Sequence, residues 1–427
     1  MNYTKEKTEK LTKIFNQGKK NALVFLCWAL IGILVGIVVG LVGTAFAYAI
    51  SFATKSREAY SWLLYLLPLL GIVIVWIYNR AGMEDQPGTN MVLLSVREEK
   101  TVPFRIAPVI FSTSFLTHLG GGSAGREGAA LQIGSAISQQ IGHWLKADAN
   151  AMHIFSMCGM SACFSCLFGT PVAATVFSME VVSVGIMRYS ALIPCAISAL
   201  TADWVARCFH VHHMQFSLPA LSAAFELQIG AKVLLIAFVA AIVSILFCLV
   251  LKKTAHIYEK HIANRYIRII IGGCLVIVFT KLLGTTDYLG AGEDVITSAI
   301  AGKANGSAFL LKILFTAITL EAGYKGGEIV PSLFIGATLG CVLSRFLGID
   351  PGFGAAVGMI GLFCGATNCP IASLFLGLEL FGGAGLEWFL LAVAISYFIS
   401  GYYGLYSQQK IVYSKNDQSY LDTYTRH

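Results

Sequence analysis

The sequence is short of charge. Only 12% of its 427 residues are Asp, Glu, Lys or Arg, against about 25% in an ordinary soluble domain. That composition excludes a soluble enzyme, and no basic patch with interleaved aromatics offers itself to nucleic acid. The usual catalytic signatures are missing too. There is no HExxH pair, no GxSxG elbow, and Ser123 in GGGSAG has no neighbouring base. Of the eleven cysteines, Cys163 and Cys166 form one CxxC, but no second pair follows at zinc spacing. Most cysteines lie inside apolar runs and read as small packing residues. We therefore expect no catalysis, no metal and no cofactor. The first twenty residues also lack the early hydrophobic region of a cleavable signal peptide.

What is present is apolar surface: 56% of residues are hydrophobic. Runs of near-spanning length recur at Ala22–Ile50, Trp62–Tyr78, Ala231–Leu251, Ile267–Leu283 and Phe389–Ser400. Other segments are short and broken by glycine, the pattern of a polytopic transporter or channel rather than a plain bundle. The fold class expected is an all-α integral membrane protein, multi-pass in the cell membrane. Residues 1–21 carry Lys5, Lys7, Lys10, Lys13, Lys19 and Lys20 and read as an amphipathic helix on the cytoplasmic face. Lys410, Lys415 and Arg426 in the tail 407–427 favour the same side, so both termini are expected there.

Two glycine-rich breaks interrupt the apolar pattern, and each carries a carboxylate. One is Gly125-Arg126-Glu127-Gly128 and the other Gly326-Gly327-Glu328-Ile329-Val330-Pro331. A carboxylate at membrane depth is costly and so a functional candidate. Non-helical backbone at that depth has to be buried in protein or line a cavity. A helix starting from such a break aims free N–H groups and a positive dipole end into it, which suits an anion. The simplest alternatives pair Glu127 with Arg126 and Glu328 with Lys325. His118, beside Thr117, is read as a packing residue rather than a proton carrier.

The chain also repeats itself. GMSACFSCLFGTPVAATVFSME, from Gly159, aligns without a gap on GMIGLFCGATNCPIASLFLGLE, from Gly358, an offset of 358 − 159 = 199. Glu127 and Glu328 stand 328 − 127 = 201 apart. We divide the chain into a first half 22–209, a connector 210–228 and a second half 229–406. Repeats of this kind place the substrate site between the halves near the midplane. Glu180 and Glu379, which end matching Pro-led helices, are expected to make structural contacts.

At these residues the sequence resembles the CLC family of anion channels and anion/proton antiporters. GREGAALQIG is similar to that family's GREGP-type filter segment, and GGEIVP stands where its GxFxP-type segment does. TVFSMEVV resembles the helix after the filter, and Gly404-Leu405-Tyr406-Ser407 the segment that supplies a filter tyrosine. The resemblance implies an inverted repeat of about eighteen helical segments, many not fully spanning, and a homodimer with one pore per subunit. With 427 − 406 = 21 residues after Tyr406, no nucleotide-binding CBS pair is expected.

Three departures narrow the resemblance. The usual GSGIP motif is absent, with Gly88-Thr89-Asn90-Met91 its best match. Val181 stands where chloride/proton antiporters carry an internal glutamate, and Glu328 replaces an apolar residue. Together these resemble the fluoride/proton antiporter branch, although some members carry Thr at the place of Val330. The resemblance implies a fluoride/proton antiporter exporting fluoride in exchange for protons, the alternative being a chloride/proton antiporter or chloride channel. It implies gating and proton-coupling roles for Glu127 and Glu328. It places an anion among Gly88, Thr89, Asn90, Gly125, Arg126, Gly128, Gly327, Ile329, Val330 and the hydroxyl of Tyr406. The partners implied are the anion, protons and the lipid bilayer.

Overall fold

The computed structural model describes residues 2–84, 86–98, 100–218, 226–383, 385–417 and 419–426, without side chains for 2–17. Sixteen α-helices and two short 3-10 helices account for nearly all its regular structure. The first eight helices are α1 (Asn2–Ala59), α2 (Leu67–Arg80), α3 (Thr89–Arg97), α4 (Ile106–Leu119), α5 (Glu127–Trp144), α6 (Ala149–Phe168), α7 (Pro171–Glu180) and α8 (Leu192–Cys208). The second eight are α9 (Leu227–His261), α10 (Arg265–Leu283), α11 (Glu293–Ile300), α12 (Ala308–Ala322), α13 (Ile329–Leu347), α14 (Pro351–Thr367), α15 (Pro370–Phe381) and α16 (Leu386–Ile399). Sixteen plus two is the number of helical segments that the resemblance implies.

The packing repeats with the sequence. α5 packs on α6 as α13 packs on α14, α1 on α8 as α9 on α16, and α4 on α5 as α12 on α13. Helices of both sets meet where α7 lies against α15. Small residues let the closest pairs touch, as membrane helices require. A Cβ on Gly134 of α5 would stand 2.0 Å from the Gly159 carbonyl oxygen of α6, and one on Gly340 of α13 2.0 Å from the Gly354 carbonyl of α14. The two halves are arranged as an inverted repeat.

Among the described residues seven helices are long and apolar enough to cross a membrane, while α4, α14, α15 and α16 are shorter. Their outward faces carry large apolar side chains such as Leu30, Phe52, Trp204, Leu282 and Phe346, which suits contact with lipid. Helix α1 runs unbroken, so the lysine-rich start and the first apolar run share one helix. The polar residues Lys55–Ala59 form its last turn.

Two segments that look like plain connections pack against the helices. In the connector, the Phe216 N–H donates to the Leu380 carbonyl (2.9 Å), its ring stacks on Phe381, and His213 Nε2 lies 2.9 Å from the Cys166 carbonyl oxygen. Residues 219–225 of the connector lie outside the described residues, and 227–228 already belong to α9. The C-terminal segment folds into strands β2 (Lys410–Tyr413) and β3 (Tyr420–Tyr424), which form a small sheet with β1 (Ser183–Val184) beyond α7. β1 pairs with β2 in parallel and β2 with β3 antiparallel.

Candidate functional site

The site is made where the two glycine-rich breaks cross. The Gly125 N–H donates to the Gly327 carbonyl and the Gly327 N–H to the Gly125 carbonyl, both at 2.8 Å. The breaks thus satisfy each other's backbone groups at a depth where no solvent can do so. The approach admits little else: a Cβ on Gly326 would lie 2.4 Å from Ala124 Cβ. Hydroxyls from the preceding helices serve the opposite break. Thr319 of α12 accepts from the Ser123 N–H, and Thr117 of α4 accepts from the Lys325 N–H, each at 3.1 Å. The crossing brings the N-termini of α5 and α13 side by side, with their positive ends aimed into one place.

Glu127 opens α5 and is fully buried. Its Oε2 accepts from the Val330 N–H of α13 at 3.3 Å, and its Oε1 has no partner among the described residues. The carboxylate therefore sits on the opposite half's helix N-terminus, where a free anion would bind. It is not paired with its neighbour. Arg126 turns away to Glu293 at the start of α11, Nη2 to Oε1 3.2 Å, and donates to the Leu167 carbonyl. Arg126 is thus held off the crossing.

Glu328 is not paired with Lys325 either, whose ammonium stands over the Tyr78 ring, 4.4 Å from its centroid. Its Oε2 is buried and without a partner among the described residues. It lines a cavity of about 210 Å³ together with Gly88, Thr89, Asn90 and Tyr406. The Tyr406 side chain is buried and its hydroxyl has no partner among the described residues. Thr89 lies against the crossing, because a Cβ on Gly128 would stand 3.0 Å from its Oγ1. Asn90 Oδ1 accepts from the Gln408 N–H at 3.1 Å, tying the start of α3 to the chain after Tyr406. Ile329 and Val330 are wholly buried and contribute backbone at the first turn of α13.

The expected residues thus fall into two adjoining groups. Gly125, Glu127, Gly128, Gly327, Ile329 and Val330 form the crossing; Gly88, Thr89, Asn90, Glu328 and Tyr406 surround the cavity. Further polar residues line that cavity, two of them on α5 and α12. Gln132, one turn into α5, donates from Nε2 to the Gly128 carbonyl and leaves Oε1 unpartnered among the described residues. Glu321, in the last turn of α12, lines it too. Glu321 and Glu328 also border a wider, open cavity of about 740 Å³ that reaches Lys252 and Arg426. An acid at the end of an apolar helix was the available signal for Glu321.

Comparison with known proteins agrees with this architecture. The family model described as voltage gated chloride channel matches residues 70–401. A chloride/fluoride channel protein of Pseudomonas syringae pv. tomato is 31% identical over 398 residues, 91% of this chain and 87% of that protein. A putative ion-transport protein of Escherichia coli, YfeO, is 25% identical over 69% of this chain and 71% of its own length. The crystal structure of a CLC-type fluoride/proton antiporter superposes with a TM-score of 0.87 at 32% identity, covering 90% of this chain and 98% of that one. A slow cyanobacterial Cl⁻/H⁺ antiporter shares the fold, with a TM-score of 0.77 at 18% identity over 87% of this chain and 94% of that one. The chain belongs to the voltage-gated chloride channel family, the CLC family of anion channels and anion/proton antiporters.

Proposed function

We propose that the protein is a fluoride/proton antiporter that exports fluoride in exchange for protons, with Glu127 as its gate. The observation that carries this reading is the carboxylate of Glu127 on the Val330 N–H. An ionised Glu127 occupies the positive helix end that an anion needs. Protonation removes the charge that holds it there, the side chain swings out, and the anion takes its place. Anion and proton then alternate at one seat, which couples their movements.

Fluoride is small and strongly hydrated, so the site has to replace its water shell with several donors. The first-turn N–H groups of α5 and α13, Thr89, the Asn90 amide and the Tyr406 hydroxyl are the supply. Glu328, facing the cavity between that seat and the wider opening, is the second proton-coupling acid, with Glu321 beyond it. The similarity to a fluoride/proton antiporter supports fluoride over chloride, and the similarity to a chloride/fluoride channel protein is compatible with it. By the positive-inside rule, Lys19 and Lys20 of α1 and Lys252 and Lys253 of α9 lie at the cytoplasmic face of the cell membrane, together with both termini. The open cavity bordered by Lys252 then faces the cytoplasm. The working unit is a homodimer with one pore in each subunit, as the family resemblance implies.

The test is Glu127→Gln in reconstituted liposomes. We expect anion flux without coupled proton movement. Proton pumping at the wild-type rate would end the gating role.

A further inference from the structure

The chain that carries Tyr406 has little regular structure of its own. Helix α16 ends at Ile399, and residues 400–409 form turns. A buried ring on such a segment is only as well placed as the contacts that hold its backbone. The Leu405 N–H donates to the Ala366 carbonyl of α14 at 2.9 Å. Gln409, fully buried, donates from Nε2 to the Val181 carbonyl (2.9 Å) and the Thr367 carbonyl (2.7 Å), and its Oε1 accepts from Asn368 (3.0 Å). The ends of α7 and α14 are thereby fixed to the residue three after Tyr406.

The remaining support comes from the end of the chain. Just after β3, Thr425 donates from Oγ1 to the Tyr406 carbonyl at 2.6 Å and from its N–H to the Gln409 carbonyl at 3.0 Å. Arg426 follows with its N–H on the Tyr402 carbonyl at 2.7 Å. Thr425 is itself buried, and its methyl packs beside Gly404, where a Cβ would lie 3.2 Å from it. The tyrosine carbonyl thus accepts from two donors, Thr425 Oγ1 and the Gln409 N–H (2.9 Å), while the residue lines the cavity and its hydroxyl has no partner among the described residues.

We propose that Thr425 is a positioning residue for the anion pathway: the C-terminal hairpin folds back to hold the Tyr406 backbone, and so sets where the tyrosine hydroxyl meets the anion. The inference rests on the reading of Tyr406 as an anion donor. It assigns the last residues of the chain a part in affinity and selectivity, although Thr425 touches no anion.

The test uses full-length protein in liposomes and four variants: Thr425→Val, Thr425→Ser, Tyr406→Phe and the double variant Thr425→Val/Tyr406→Phe. Valine keeps the shape and removes the donor; serine keeps the donor. Size-exclusion profile and melting temperature establish folding, and Thr425→Ala replaces the valine variant if that one does not fold. Half-saturating fluoride concentration, the fluoride-to-chloride rate ratio and maximal rate are read separately. Loss of one net hydrogen bond corresponds to a rise of about five-fold in half-saturation for Thr425→Val. We expect that rise with a changed anion ratio, restoration by serine, and no added effect of valine in the Tyr406→Phe background. A valine variant indistinguishable from wild type, or one that lowers only the maximal rate, overturns the proposal while leaving the tyrosine reading intact. A silent Tyr406→Phe overturns the tyrosine reading and this proposal with it.

Discussion

Glu180 and Glu379 cap each other's helices. The carboxylate of Glu180, at the end of α7, accepts from the N–H groups of Ile371 (3.1 Å) and Ala372 (2.8 Å) in the first turn of α15. The carboxylate of Glu379, in the last turns of α15, accepts from Val172 (2.9 Å) and Ala173 (2.8 Å) in the first turn of α7. Both helices begin with proline, so their next free N–H groups need an acceptor, and each half supplies it to the other. The two glutamates hold the halves together and stand apart from the residues around the inner cavity.

This arrangement predicts that Glu180→Ala and Glu379→Ala each weaken the fold by about 0.5–2 kcal/mol, since each removes the acceptor of two first-turn N–H groups. Melting temperature in detergent should fall for both. The fluoride-to-chloride ratio of the surviving protein should not change, and a change would place one of these acids on the pathway.

Gly125→Ala and Gly134→Ala separate the proposed gate from the scaffold. A Cβ at Gly125 would stand 2.2 Å from Glu127 Oε2, a movable carboxylate end, and 3.1 Å from Pro331 Cδ. The variant should fold and displace the acid, so proton coupling weakens while anion flux continues. A Cβ at Gly134 would meet the Gly159 carbonyl backbone at 2.0 Å, which only separation of α5 and α6 can relieve. That strain should cost about 1–3 kcal/mol or more and lower melting temperature and yield. Equal behaviour of the two variants in both assays would contradict this division.

The Arg126–Glu293 pair should restrain the anion site. Arg126 is almost buried beside Glu127, while the Glu293 side chain remains 38% exposed. Glu293→Gln frees the guanidinium charge to act on an anion at the crossing. Half-saturating fluoride concentration should fall about two- to five-fold, the scale of a partly exposed pair worth up to ~1 kcal/mol. A rise would mean that the pair holds Arg126 where the anion needs it.

The sequence made some of these features plain and concealed others for physical reasons. Glu127 and Glu328 stood out because a glycine break with a carboxylate is costly in an apolar chain. The repeat was readable because Pro171 and Glu180 align with Pro370 and Glu379 in one ungapped register, and the caps require that spacing in both halves. The backbone exchange between Gly125 and Gly327 left no local mark, since it joins residues 327 − 125 = 202 positions apart. Arg126 invited pairing with its neighbour, and only the fold brings Glu293 to it. The C-terminal segment read as a tail, because composition does not tell a solvated strand from one that packs back against Tyr406. The continuity of α1 was nearer to hand: between Asn2 and Lys20 no proline and only Gly18 opposes a helix.

The measurement to make is efflux from liposomes reconstituted with the wild-type protein. Fluoride and chloride are followed by ion-selective electrodes, and proton uptake is followed in parallel. Large fluoride efflux accompanied by proton movement, with little chloride efflux, is the predicted result. Efficient chloride efflux, or fluoride efflux with no proton movement, would contradict the account.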